Sequence, residues 1–368
     1  METNNRSAGG ALTLAGKYYT DEHIFLTEWE RIFLQNWLCV GRADQIKEPG
    51  QYFLQQVGDE NVILLRDYAG DAQAFYNVCR HRGTRICAQS SGQLSQSIQC
   101  PYHAWTYALN GRLLGAPNMQ SVAGFDKADY PLHAVGVAEW EGFLFINLAV
   151  NRRPFHTVYA PLLDKFTRWQ IPELKIVHTA VYEVAANWKS IFQNYSECYH
   201  CPTLHPALNT LTPYQGASND LEAGPFLGGP MRLARIGASM TMDGYACAPP
   251  LGTLAGEDLA LVYYYTLFPT MFLSLHPDYV LTHRLEPLAV DRTRVICDWL
   301  FAPDAIAQPN FNPQPAIDFW HMTNSQDWFV CELTQQGVKS RAYVPGPYAD
   351  LESMIAAFDT EYLRVLGM

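Results

Sequence analysis

The sequence predicts an α+β protein in which a small all-β domain precedes a larger domain of mixed helices and strands. Between about Gly41 and Leu148, short runs of alternating character (QYFLQQV, ENVILLRDY, AQAFYNV, WTYALNGRLL and GFLFINL) are separated by turn residues. Asn110-Gly111 reads as a tight turn joining two of them. Beyond this stretch the pattern becomes mixed, with helical periodicity at 159–169 and 188–200 and strand-like runs around 177–186, 261–268, 271–275, 279–286 and 293–302. At 368 residues the chain is also longer than one hydrophobic core ordinarily supports.

Residues 18–38 place Phe25, Trp29, Ile32, Phe33 and Trp37 on one face of a helix, with Thr20 as the expected N-cap. This N-terminal helical arm occupies 1–40, the β domain 41–150 and the second domain 151–368, with NRRPF at 151–155 as the expected linker. Residues 206–258 are rich in Gly, Pro and Ala with weak periodicity, and read as loops shaping the mouth of a pocket. A long helix is expected from just after Pro315 to about Val338, followed by two shorter helical turns beyond the break Pro345-Gly346-Pro347.

A net charge of −11 argues against a nucleic-acid or anionic-membrane surface and leaves room for a basic protein partner. The opening METNNRSAGG lacks a basic stretch followed by an apolar run, so no secretory signal is expected. No stretch reaches the length of apolar sequence needed to span a bilayer. Nine cysteines, scattered and odd in number, do not form a disulfide framework; they suggest a reducing cytoplasm and metal ligation by some of them.

Two constellations carry chemistry. The first is Cys79-x-His81 in NVCRHRGTRIC and, after eighteen intervening residues, Cys100-x2-His103 in CPYHAWTY. Each half offers one thiolate and one imidazole from a turn in β texture, the inventory of a [2Fe–2S] cluster with two cysteines on one iron and two histidines on the other. A structural zinc site uses the same residue types, but zinc fingers pair their histidines on a helix rather than alternating Cys and His. The second constellation is His200 and His205 within NWKSIFQNYSECYHCPTLHP. Two imidazoles plus a carboxylate, with adjacent positions open, make the ligand set of non-haem Fe(II) oxygenases. His200 is expected to end a helix, with Pro202 and Pro206 turning the chain so that His205 faces the same centre. Alone, H-x4-H equally suits two ordinary histidines. The carboxylate candidates are Asp298, Asp304, Asp318, Asp327 and Glu332; Asp327 shares an apolar helical face with Trp328 and Cys331, where an unpaired carboxylate is costly.

CRHRG and CPYHAWTYALNGRL resemble the Rieske domain of ring-hydroxylating oxygenase alpha subunits, with a slightly longer spacer whose extra length is expected in a surface hairpin around Ser90–Ser97. N-x2-E-x2-H-x4-H and NSQDWFVCE likewise resemble that family's mononuclear iron segments. The resemblance implies a helix-grip catalytic domain, an antiparallel sheet around a long helix. It also implies Asp327 as third ligand beside His200 and His205, one Rieske cluster and one Fe(II) per subunit, and Cys201 as a core residue rather than a ligand. It further implies a homotrimer arranged head to tail and a flavin and iron–sulfur reductase that brings electrons from NAD(P)H. In the family an acidic residue at the place of Glu197 joins a metal histidine to a Rieske histidine of the neighbouring subunit; most members use aspartate there. The extra methylene implies either a wider separation of subunits or a folded side chain.

Glu197 within ECYHC, with LSLHPDYVLTHRLEP and DRTRVICDWLF, resembles the branch acting on glycine betaine and carnitine. The expected reaction is oxidative N-demethylation of a quaternary ammonium compound. An aromatic box would be needed, since such a cation has no N–H donor; Tyr263, Tyr264, Tyr265, Phe268, Phe272 and Tyr279 are the candidates. The alternatives are an arene dioxygenase or O-demethylase of the same family, and a non-enzymatic Rieske electron carrier fused to a ligand-binding domain.

Overall fold

Period-two alternation sets the strands of the β region. In the computed structural model, which describes residues 10–368, strands β1 to β10 are Leu38–Arg42, Gln51–Val57, Glu60–Arg66, Ala72–Tyr76, Ser91–Gln93, Ser97–Gln99, Thr106–Ala108, Leu113–Gly115, Gly136–Trp140 and Phe143–Asn147. They pair antiparallel in three sheets ordered β4-β3-β2-β5, β6-β7-β8 and β1-β10-β9. At the Asn110-Gly111 turn Gly111 has φ +82°, and a Cβ there would lie 2.5 Å from the Phe75 ring, so only glycine fits. Ser90–Ser97 is largely exposed but is not a hairpin: β5 joins β2, whereas β6 joins β7. Ile63, Leu65, Phe75, Ile98, Trp105 and Tyr107 pack in one core with Cys79 and Cys100.

Chain contacts define this unit as Phe33–Leu163, and a second unit as 10–32 together with Asp164–Met368. NRRPF is not a loose linker. It packs inside the first unit, where the Trp37 indole donates to the Arg153 carbonyl at 3.0 Å and stands edge-on to Phe155.

In the second unit β11 to β17 are Lys175–Val184, Leu221–Ala223, Phe226–Arg232, Leu261–Leu267, Met271–Leu275, Val280–Ala289 and Arg292–Phe301. They form one antiparallel sheet ordered β11-β17-β16-β15-β14-β13-β12. The helix Gln314–Val338 buries residues at three- and four-residue spacing, among them Ala316, Phe319, Trp320, Asn324, Trp328 and Cys331. Its Asn324 amide reaches His283 on β16 and Cys297 on β17, which sets the helix against the sheet as the helix-grip expectation requires. β12 and β13 arise where loops were expected. Gly228 and Gly229 hide the strand from a propensity reading, yet a Cβ at Gly228 would lie 2.0 Å from the Tyr264 carbonyl, so the pairing depends on glycine.

Other helices depart from expectation. Asp21, not Thr20, caps Glu22–Glu28 by accepting from the His23 and Ile24 amides, and a π-helical turn Trp29–Phe33 follows. Residues 159–169 form turns and a short 3-10 segment, because Pro161 and the left-handed Asp164 interrupt the helix. The C-terminal turns are a full helix, Ser353–Leu366. The start 1–9, on which the absence of a signal was read, lies outside the described residues.

Glu28 and Lys189 are both fully buried and meet at 2.5 Å. Trp188 Nε1 and the Tyr362 hydroxyl also donate to the Glu28 carboxylate, at 2.8 and 2.6 Å. Removing one partner of such a pair leaves an uncompensated buried charge. Glu28→Ala should therefore cost about 3–5 kcal/mol in urea unfolding, whereas replacing Glu28 and Lys189 together by methionine should recover most of that loss.

Candidate metal centres

Two loops of the first unit carry the Cys/His motif. Cys79 follows β4 and its loop closes through Cys79 N to the Thr84 carbonyl and Gly83 N to the Cys79 carbonyl. The second loop closes the same way, with Cys100 N donating to the Trp105 carbonyl and Ala104 N to the Cys100 carbonyl. Both cysteines are buried, while His81 and His103 are exposed with their rings 4.8 Å apart. The His81 ring lies flat against Trp105 and His103 stacks on Tyr102. The Tyr107 hydroxyl stands 3.4 Å from Cys79 Sγ and accepts from the Arg80 amide. Burial pushes the Cys100 thiol up, so a thiolate there requires a positive partner. Desolvation, followed by the nearby His103 and Arg82, lowers the pKa of His81. Two buried sulfurs beside two exposed imidazoles fit a [2Fe–2S] cluster whose histidine-bound iron would face outward.

In the second unit the helix Trp188–Tyr195 ends at Ser196, earlier than expected. His200 instead precedes the short helix Cys201–Leu204, and His205 precedes Pro206–Leu211. Pro202 and Pro206 sit in the first turns of these helices, where the missing N–H has no cost. The histidine rings lie 5.1 Å apart and nearly perpendicular. Asp327, on the long helix, places Oδ1 2.8 Å from His205 Nε2 and 3.5 Å from His200 Nε2. The three donor atoms lie within 4.8 Å of one another. Every other carboxylate considered is otherwise engaged. Asp298 accepts from Thr179, Asp304 from the Ala305 amide, Asp318 from Gln314 and Glu332 from the Ala185 amide.

Burial opposes charge on His200, yet bonds to Asp327 and Glu197 outweigh it and lift its pKa to about 10. Burial acts to raise Asp327, but its contacts with His200 and His205 hold it below the usual carboxylate range. The pocket thus demands a positive charge between these side chains, which a divalent ion supplies. Glu197 meets His200 through a turn rather than along a helical face. Its Oε1 is 2.5 Å from His200 Nδ1, and Oε2 accepts from the Tyr199 and His200 amides. The Gln326 side-chain oxygen sits 2.7 Å from His205 Nδ1, a contact the sequence reading missed. Cys201 is in the core as expected but is joined to Cys198 by a disulfide, which runs against the expectation of a reducing compartment drawn from the scattered cysteines.

A cavity of about 120 Å³ opens beside Asp327, His200 and His205. Tyr195, Tyr264 and Trp320 are the aromatic residues of its wall. Alternation along β14 sorts the tyrosine run: Tyr264 faces the cavity, while Tyr263 packs on Trp169 and Tyr265 on Phe166. Phe268 and Phe272 pack on Phe192, and Tyr279 is buried, accepting from the Trp320 indole at 2.7 Å.

Residues 36–126 match the Rieske [2Fe-2S] domain and residues 171–368 the catalytic domain of the ring hydroxylating alpha subunit. The glycine betaine monooxygenase oxygenase subunit of Chromohalobacter salexigens is 33% identical over 94% of this chain and 83% of its own. The carnitine monooxygenase oxygenase subunit of Escherichia coli K12 is 34% identical over 54% of each chain. A solved quaternary ammonium Rieske monooxygenase, 25% identical, superposes with a TM-score of 0.83 over 97% of this chain and 96% of that one.

Cys100→Ser should lose the cluster's visible absorption, since a hydroxyl does not replace a thiolate on that iron. Asp327→Ala should keep that absorption while metal analysis finds one iron atom fewer per chain.

Proposed function

The chain belongs to the ring-hydroxylating oxygenase alpha-subunit family and carries a Rieske [2Fe–2S] domain ahead of its catalytic domain, and from that premise we propose that it N-demethylates a quaternary ammonium compound such as glycine betaine. Membership makes it an oxygenase with one Rieske cluster and one mononuclear iron, served by a reductase. In our reading Cys79, His81, Cys100 and His103 hold the cluster, and His200, His205 and Asp327 hold the iron. The division into 1–40, 41–150 and 151–368 stands as the proposed functional partition.

One observation carries the substrate class. Three aromatic residues, Tyr195, Tyr264 and Trp320, line the cavity beside the triad, and none of the described lining residues is a lysine or arginine. A trimethylammonium group has no N–H to donate and is held by ring faces. The rings are fixed by their own partners: the Tyr195 hydroxyl pairs with Ser274 at 2.6 Å, and the Trp320 indole is held by Tyr279.

When bound, the iron supplies O2 activation with two electrons delivered through the cluster. The overall change consumes O2, NAD(P)H and a proton and returns water, NAD(P)+ and a hydroxymethyl ammonium. That product breaks its C–N bond to give formaldehyde, the demethylated amine and a proton. The chain's own residues place the methyl group against the triad, exclude bulk water and hold the imidazoles in their ligating tautomer. Glu197 is our electron and proton bridge, from the Rieske histidine of a neighbouring copy to His200, within a head-to-tail homotrimer. The reductase is a flavin and iron–sulfur protein using NAD(P)H, and the compartment is the cytoplasm. Among the described residues no helix is long and apolar enough to cross a membrane.

Turnover of a panel of betaines, carnitine and aromatic acids tests the reading: formaldehyde from an N-methyl substrate is expected, and a cis-diol from an arene would replace it with ring dioxygenation. Trp320→Leu should raise KM for the ammonium substrate about tenfold, in keeping with a desolvated cation–π contact, with the cluster spectrum unchanged. Glu197→Gln should keep both metals and lose NADH-driven turnover, while hydrogen peroxide restores part of the product.

A further inference from the structure

A histidine that binds a metal through Nε2 must carry its proton on Nδ1, and that proton needs an acceptor. His200 has one in Glu197. His205 is more deeply buried, with 2% of its surface exposed, so solvent does not supply the acceptor. Its Nδ1 lies 2.7 Å from Gln326 Oε1, while its Nε2 lies 2.8 Å from Asp327 Oδ1. The second distance matters when the metal is absent. The other neutral tautomer, with the proton on Nε2, donates directly to Asp327 and joins two ligands to each other instead of to the ion. Two acceptors therefore compete for one imidazole proton, and they come from successive residues of the Gln314–Val338 helix.

We propose that Gln326 is a positioning residue for the iron site: its side-chain oxygen holds the His205 proton on Nδ1 and so keeps Nε2 free for the metal. One helix then supplies both the carboxylate ligand and the group that orients the histidine opposite it. Successive residues on a helix are about 100° apart, which lets Gln326 and Asp327 reach the two nitrogens of one ring. The amide differs from the carboxylate behind His200. A neutral acceptor fixes the tautomer without adding a negative charge next to Asp327. The inference rests on the proposed triad.

The test uses the full-length protein with its cluster intact and the mononuclear metal removed, titrated anaerobically with Co(II) against a competing chelator. Gln326→Leu removes the acceptor at similar size, and Co(II) affinity is expected to fall by about 10–100-fold, the usual effect of losing such a partner. Gln326→Glu keeps an acceptor oxygen and is expected to bind within about threefold of the parent or tighter, with the same cobalt visible bands. Equal affinity of Gln326→Leu and the parent overturns the proposal. So does a loss in Gln326→Glu as large as that in Gln326→Leu, since helix disturbance rather than proton acceptance would then be the cause. If the leucine variant does not fold, judged by far-UV circular dichroism and a cooperative urea transition, Gln326→Met takes its place, with the same two readings. Asp327→Ala, titrated in parallel, separates the layers. Parent-like Co(II) binding there defeats the triad itself, whereas its loss beside an unaffected Gln326→Leu defeats only the role of Gln326.

Discussion

The buried pair of Glu28 and Lys189 is the constraint from which the catalytic unit is hung. Two charges with no exposure cost several kcal/mol each to desolvate, and only near-complete pairing offsets this. Glu28 therefore accepts from Lys189, Trp188 and Tyr362 together, which fixes two segments remote in sequence against one carboxylate. The helix Trp188–Tyr195 starts at this point, capped by Asn187, and ends two residues before Glu197. The turn that carries Glu197 and His200 is thus referenced to a rigid interior point. Ligand geometry tolerates displacements of only about half an ångström, so a frame of this kind is what a metal triad assembled from separate elements requires.

Against that frame the long helix acts as the second jaw. Asn324 ties it to β16 and β17, Gln335 holds the Asn187 amide, and Asp327 lies between these fixed points. The helix also supplies Trp320 to the cavity wall two turns before Asp327. The same element thereby sets the distance between an aromatic face of the cavity wall and the Asp327 carboxylate. A shift of this helix would move the ring and the carboxylate together, through ordinary packing.

Chemistry was legible in the sequence wherever a motif is local. Cys79-x-His81 and Cys100-x2-His103 each lie within one short loop, so spacing alone brings their side chains to one site. His200 and His205 were equally readable, though not the local form: the helix stops at Tyr195, and the histidines begin two further helices instead of ending one. Asp327 was reachable because a carboxylate on an apolar helical face needs a reason. Gln326 was not, since a glutamine on a half-exposed helix position carries no such signal until His205 is seen opposite it. The strand β13 was hidden because Gly228, Gly229 and Pro230 read as loop, while close approach to β14 demands a residue without a side chain. The YYY run illustrates the limit of composition: three identical residues, and strand alternation sends the middle one alone to the cavity.

Glu197 in place of the family's more usual aspartate finds its reason in the turn. The carboxylate curls back, with one oxygen on His200 Nδ1 and the other on the amides of Tyr199 and His200. An aspartate at the end of a helix can reach the same imidazole directly, but here the helix has already ended and the chain has turned away. The extra methylene is consumed by folding back rather than by reaching outward. Both oxygens are therefore oriented by the chain's own groups before any partner arrives, and the remaining lone pairs keep a fixed direction. Pre-orientation lowers the entropy lost when any further donor meets such a carboxylate. A longer side chain at this place is thus held no more loosely than a shorter one, because the backbone amides of the turn fix it.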